Sequence, residues 1–189
     1  MTTISAVILA GGRATRMNGA DKGLQLYRGQ SLVAHILQRL RPQVSHISIN
    51  ANRNLAEYVK FGVPVFSDDR PNFQGPLSGM LSGLKRAETD AVLFVPCDCP
   101  FLPLNLLEKL KTADQNHNIF NAYANDGERS HPTFCLLNRS IAPQLETYLN
   151  QGERRVLAFL KAQQAISINF NEQKNTFINF NSLSDLNKN

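Results

Sequence analysis

The sequence predicts an α/β fold, a mainly parallel sheet flanked by helices with a smaller antiparallel portion in the second half. Three observations predict it. Short apolar runs alternate with amphipathic stretches, prolines or glycines stand at several of the boundaries, and the alternation changes character near Asp126.

The first apolar run, residues 5–10, reads as a strand that stops at Gly11 and Gly12. Leu32, Val33, Ile36, Leu37 and Leu40 recur at helical spacing and end before Pro42, which predicts the first helix. Residues 47–51 and 63–67 read as the next two strands. Leu77, Met80, Leu81 and Leu84 after Pro76 predict a second helix, and the run 91–97 a central strand. Pro103 opens a third helix marked by Leu104, Leu107 and Leu110, and residues 120–124 read as a strand. Beyond Asp126 come a strand at 133–137, two helices at 140–149 and 154–162, and two short final strands at 166–170 and 177–180. The leucine stripes are core and carry no chemistry. No low-complexity linker interrupts the 189 residues, so one domain is expected, with a nucleotide-binding half at about 1–100 and an acceptor-binding half at about 101–189.

A chain of this length buries a full core without staples. No apolar run approaches the roughly 20 residues of a membrane span. The run 4–9 ends at once in glycines and lacks a charged leader, so a cytoplasmic protein is expected. The formal net charge of +5 favours phosphorylated ligands, whereas the scattered basic residues form no nucleic-acid signature. Cys97, Cys99 and Cys135 form no disulfide framework. The C-x-C pair lacks the further ligands of a structural zinc site and reads as free thiols.

Chemistry concentrates first at residues 8–22, where a glycine-rich bend carrying Arg13, Arg16 and Lys22 follows directly on the first strand. Glycine lets the backbone approach a ligand and aim its N–H groups at phosphate or base oxygens. The segment matches neither the P-loop nor the G-x-G-x-x-G pattern, and a plain strand-to-helix turn remains an alternative. In parallel sheets ligands gather at the carboxyl ends of strands. Asn50 and Asn52, Asp68 and Asp69, and Asp98 stand at three further such ends. Asp98 halts an apolar run between two prolines; it suits Mg²⁺, which is commonly held by one or two carboxylates plus phosphates and water, or else it caps the following helix. Asn50 could hydrogen-bond a base or ribose or serve a turn. Asp68 could accept from the two-donor edge of guanine or begin the turn before Pro71.

Over nearly its whole length the chain resembles the bacterial molybdenum cofactor guanylyltransferases, relatives of sugar-1-phosphate and other nucleotidyltransferases. The resemblance rests on L-A-G-G at 9–12, R-M at 16–17, D-K at 21–22, N-A-N-R at 50–53, G-P-L-S-G at 75–79 and P-C-D-C-P-F-L at 96–102. It continues with D-G-E-R at 126–129, H-P-T at 131–133, G-E-R-R-V at 152–156 and N-F-N at 179–181. It implies a three-layer α/β/α Rossmann-like nucleotidyltransferase fold. It also implies a GTP site of Leu9, Ala10, Gly11, Gly12, Lys22, Asn50, Asp68 and Asp98, with Asp98 also on Mg²⁺ and with Arg16, Lys22 and Asp98 as the catalytic groups. Asp126, Arg129, His131, Arg154, Arg155, Asn179 and Asn181 would face molybdopterin, His131 as either a positioning or a structural residue. Related cytidylyl-transferring enzymes tend to read A-A-G where Ala10-Gly11-Gly12 stands, which favours guanine here. Cys99 is a departure, at a position where relatives vary.

The implied reaction transfers GMP from GTP to the terminal phosphate of molybdopterin, forming the guanine dinucleotide and releasing pyrophosphate. The second ionisation of a phosphate monoester lies near pH 6, so the nucleophile needs no dedicated base and catalysis rests on positioning and charge neutralisation. Implied protein partners are molybdenum-insertion proteins and the apo-molybdoenzymes or chaperones that receive the product. Two other readings stand beside this one: a cytidylyl or sugar-1-phosphate nucleotidyltransferase, and a non-catalytic GTP-binding module.

Overall fold

In the computed structural model, which describes residues 2–12, 21–71, 75–113 and 121–180, a seven-stranded sheet carries the molecule. Its strands are β1 (Ile4–Leu9), β4 (His46–Asn50), β5 (Val65–Phe66), β6 (Ala91–Pro96), β7 (Asn121–Asn125), β8 (Ser130–Asn138) and β9 (Ile166–Asn169). A two-stranded hairpin, β2 (Leu26–Tyr27) and β3 (Gln30–Ser31), stands apart. The order across the main sheet is β5-β4-β1-β6-β8-β7-β9, and β8 runs antiparallel to both its neighbours while the other pairings are parallel. The antiparallel portion expected in the second half is therefore β8.

The alternation of side chains along a strand divides the core between two faces. Ala6, Ile8, Ala91, Leu93 and Val95 face one cluster with Val33, Ile36, Leu37 and Leu40 of α1 (Leu32–Leu40), Tyr58 of α2 (Leu55–Val59), and Leu106 and Leu110 of α4 (Leu106–Lys111). Val7, Val92 and Phe94 face the other cluster. There they meet Leu77, Met80, Leu81 and Leu84 of α3 (Pro76–Arg86), Leu145 and Leu149 of α5 (Ala142–Asn150), and Phe159 and Leu160 of α6 (Val156–Ala162). This is the three-layer arrangement, and each fully buried large side chain contributes about 1.5–3 kcal/mol relative to exposure.

Local chemistry sets the element ends. Ser31 Oγ accepts from Ala34 N at 3.3 Å to cap α1. Pro76 stands in the first turn of α3, preceded by Gly75 at φ 82°, a conformation that favours glycine.

Three differences from the sequence reading have physical reasons. Residues 177–180 form no strand: a 3-10 segment, Asn171–Phe177, precedes an irregular stretch. There Phe177 stacks on His131 and Phe180 packs with Tyr27 and Phe101, so the aromatic residues anchor separate clusters instead of alternating across a ladder. The helix expected from Leu104 begins at Leu106, leaving Leu104 exposed. Finally, α2 and the β2–β3 hairpin were not expected. α2 has exposed Leu55 and Val59 and only Tyr58 inside, and each hairpin strand is two residues long, so neither has room for a periodic signal.

Candidate active site

Register brings the strand ends together. Leu9 pairs with Asn50 on one side and Pro96 on the other, and Asn50 pairs with Phe66. The segments that follow β1, β4, β5 and β6 therefore emerge side by side at one edge of the sheet. The backbone continues the ladder past these ends, with Ala10 N donating to Asn50 O at 2.8 Å and Cys97 N to Leu9 O at 3.1 Å. Gly11 and Gly12 and, from the neighbouring strand, Asp98 follow directly.

At this edge Lys22 Nζ lies 3.0 Å from Asp98 Oδ2. The reading of Asp98 as a helix cap is overturned, because Asn105 holds the cap position of α4. Cys99 Sγ lies 3.5 Å from Asp98 Oδ1 and 2.8 Å from Asn179 Oδ1, so its single S–H serves one of the two oxygens at a time. Phe180 N donates to Asp98 O at 2.8 Å, which ties the 178–180 stretch to the same point. Asn179 thus stands beside Asp98, whereas Arg16 and Asn181 lie outside the described residues.

Asn50 is buried and its Nδ2 donates to Asp68 Oδ1 at 2.8 Å, which overturns its alternative reading as a turn residue. Asn52 spans the neighbouring gap: its Nδ2 donates to Gly11 O at 3.1 Å and its Oδ1 accepts from Asp68 N at 2.8 Å. A Cβ at Gly11 would come within 2.7 Å of Asn52 Nδ2, and one at Gly79 within 2.2 Å of Asn50 Oδ1. The G-P-L-S-G segment therefore brings α3 close enough to confine the Asn50 amide. Asp69 is turned to Arg86, which forms two hydrogen bonds with it at 2.6 and 2.8 Å and holds its carboxyl below the usual range.

The antiparallel course of β8 puts its start, and the 126–129 turn before it, at the carboxyl edge of β6. Asp126 Oδ1 accepts from Glu128 N at 2.9 Å and Arg129 N at 2.7 Å, while His131 Nε2 lies 2.7 Å from Asp126 Oδ2. The His131 contact first, then the two backbone donors, hold the Asp126 carboxyl well below the usual range. The ionised carboxylate only accepts, so His131 Nε2 donates. The His131 ring also stacks on Phe177 at 4.6 Å. The Arg129 side chain is exposed at the same turn.

Arg154 and Arg155 occupy the exposed connection between α5 and α6. That connection lies at the same edge, since Arg70, from the segment after β5, donates to Asn150 Oδ1 at the end of α5. Arg154 Nη1 donates to Leu149 O at 2.9 Å and Glu153 O at 2.6 Å, and Arg155 O accepts from Tyr148 Oη at 3.2 Å.

The carboxylate of Asp98 suits a hard ion such as Mg²⁺. Asp98 offers hard oxygens at the carboxyl edge of the sheet, and no group of three or more His, Cys, Asp or Glu able to hold a metal occurs among the described residues. A carboxylate that shares its ion with phosphate oxygens and water needs no such cage. Sequence reasoning placed Asn52 at a strand end without a specific role and assigned none to Gly79, Asp21 or Tyr58, although the first three of these four lie inside the quoted motifs. Tyr58 lies in none, and no local pattern marks it.

A family model described as a MobA-like NTP transferase domain matches residues 6–166. The chain is 57% identical over 186 residues to the molybdenum cofactor guanylyltransferase of Haemophilus influenzae, covering 98% of this chain and 97% of the relative. It is also 57% identical over 184 residues to the protein of the same name from Pasteurella multocida, covering 97% of each. Among solved structures, molybdopterin-guanine dinucleotide biosynthesis protein A from Archaeoglobus fulgidus superposes with a TM-score of 0.77 at 20% identity, over 97% of this chain and 95% of that one. The 2-C-methyl-D-erythritol 4-phosphate cytidylyltransferase from Thermus thermophilus does so at 0.67 and 13% identity, over 98% and 96%, which shows the shared fold. The chain belongs to the MobA-like NTP transferase family.

Proposed function

We propose that this protein is a molybdenum cofactor guanylyltransferase, which moves GMP from GTP to the terminal phosphate of molybdopterin. The observation that carries the reading is the Lys22–Asp98 pair at 3.0 Å, set at the joined ends of β1 and β6 beside Gly11 and Gly12. In the transfer an oxygen of the pterin phosphate forms a bond to the α-phosphorus. The bond to the bridging oxygen breaks, and pyrophosphate leaves with the electron pair. Two anions must approach, so the chain's task is to neutralise and align them.

Lys22 and the backbone N–H groups of Gly11 and Gly12 would hold the triphosphate, and Lys22→Ala should raise the GTP concentration needed for turnover. Asn50 and Asp68 present an amide and a carboxylate to the guanine nucleotide. Asp98 would hold Mg²⁺, which when bound offsets charge on the phosphates. Asp126, Arg129, His131, Arg154, Arg155 and Asn179 would receive the pterin, with the Asp126–His131 pair fixing the turn that carries Arg129. A single working domain is supported by a core cluster that joins Ala6 and Ile8 with Phe134 and Phe177. No helix among the described residues is long and apolar enough to cross a membrane, and the proposed place of action is the cytoplasm.

The test is pyrophosphate release with molybdopterin and Mg²⁺, comparing GTP with CTP and other triphosphates. Release with GTP, and formation of the guanine dinucleotide, is the expected result. Preference for CTP or a sugar phosphate acceptor would establish the related transferase activity instead, and GTP binding without turnover would establish a binding module.

A further inference from the structure

Asp21 is a buried carboxylate that the proposed transfer does not itself use. A charge removed from water requires partners, and here they come from one short segment at the start of α2. Tyr58 Oη donates to Asp21 Oδ1 at 2.5 Å, Asn54 Nδ2 donates to Asp21 Oδ2 at 3.3 Å, and Arg53 Nε lies 3.6 Å from the same oxygen. The backbone of Asp21 is held as well: Gln25 Nε2 and Leu24 N donate to its carbonyl at 3.0 and 3.2 Å. The next residue is Lys22.

We propose that Asp21, clamped by Tyr58, Asn54 and Arg53, is the positioning residue that aims Lys22 at Asp98 and the GTP phosphates. The inference rests on the guanylyltransferase reading for its substrate. Its geometry is independent of it. Lysine carries a long, freely rotating stem, and its ammonium reaches Asp98 reproducibly only when its backbone is fixed. The 3-10 turn Lys22–Leu24 is fixed from both sides, since a Cβ on Gly23 would come within 2.6 Å of Tyr58 Oη and 2.8 Å of Val33 Cγ2.

α2 contributes little else to the interior. Leu55 and Val59 are exposed, and the one side chain it buries, Tyr58, ends on Asp21. Burial, assisted by the Asp21 contact, pushes the Tyr58 phenol far above its ordinary range, so it remains a donor throughout the working pH range. Buried charge networks seldom stabilise a fold more than apolar groups of the same size, so geometry at Lys22 is the better account of this one.

The experiment compares Tyr58→Phe and Asn54→Gly, each alone and combined with Lys22→Ala. Glycine tolerates the positive φ of 51° at position 54, so that variant removes the amide without backbone strain. Each single variant is expected to lower kcat/KM for GTP roughly ten- to a hundredfold, the range of a lost hydrogen bond to a charged group. In the Lys22→Ala background the same changes should have no further effect, because the residue they position is gone. An undiminished kcat/KM in both single variants, or the same fold-loss with and without Lys22, would overturn the inference. Affinity for GTP with Mg²⁺, titrated on the same set without pterin, must show the same dependence on Lys22. That measurement still decides the matter if the unsubstituted protein binds GTP yet transfers nothing to molybdopterin, the outcome that would defeat the functional reading alone.

Discussion

Lys22 and Asp98, 76 residues apart in the chain, meet at 3.0 Å where β1 and β6 end together. Neither group is deep in the core, and neither is fully solvated: the Lys22 side chain is 24% exposed and that of Asp98 12%. At such a boundary Lys22 can exchange Asp98 for phosphate oxygens while water or a bound cation takes its place on the carboxylate, so that neither charge is left bare.

Replacement of Asp98 by Asn keeps the shape of the side chain and removes its charge. Transfer should fall by about a hundredfold or more, the scale of losing a group aimed at developing charge. Pyrophosphate release at saturating GTP measures it, and a thermal melt verifies the fold. Near-normal turnover would refute the role of Asp98.

Gly79→Ala should disturb the nucleotide side through Asn50. The new methyl group would meet Asn50 Oδ1 at 2.2 Å, and Leu9 Cδ2 lies 3.2 Å away, so one of the neighbours must move. A loss of about 1–3 kcal/mol of stability is expected from overpacking, together with weaker GTP binding as Asn50 leaves Asp68. Denaturant unfolding and a GTP titration test the two effects separately.

The three thiols should be unreactive in the folded protein. Cys97, Cys99 and Cys135 are buried; burial, and for the first two the nearby Asp98 carboxylate, raises them above the ordinary cysteine range. The thiolate is the reactive form. Mass spectrometry after iodoacetamide treatment at neutral pH should show no alkylation without denaturant and three modifications with it; rapid native labelling of any one would contradict its burial.

Acid should weaken the 126–131 turn. The folded-state carboxyl of Asp126 is depressed, so its contribution to stability is present above the unfolded value near about pH 4 and is lost as the pH falls toward the folded value. The melting temperature should begin to fall below about pH 5 and keep falling below about pH 3, because the unfolded carboxyl takes up its proton near pH 4 while the folded one stays ionised. Asp126→Asn keeps an oxygen for the backbone donors and should make that decline shallower. An identical decline in the variant would rule Asp126 out as a source of the acid sensitivity.

Much of the fold was legible because the core stripes are periodic. The helix through Leu32–Leu40 and the strand Ala91–Pro96 each repeat one pattern long enough to be read, and both end near where proline or a charge suggested. The final stretch was misread because Phe177 and Phe180 look like strand residues in isolation, while each is drawn to an aromatic cluster supplied by distant segments. Of the candidate site, Gly11 and Gly12 stood out as a break after the first strand, Lys22 as a cation on the bend that follows, and Asn50, Asp68 and Asp98 as polar residues at strand ends. Tyr58 did not, since a tyrosine in a five-residue helix has no local signal.

What the sequence determined by itself was the alternation of elements and the set of polar residues at the strand ends, because periodicity and punctuation are properties of neighbours along the chain; the family followed from the resemblance of its ordered motifs. Only the tertiary structure decided the partners: Asp21 with Tyr58, Lys22 with Asp98, Asn50 with Asp68, Cys99 with Asn179. Each pair spans at least one crossover or one face of the sheet. Which donor reaches which acceptor depends on strand register and helix packing, and those are settled by the folded core as a whole.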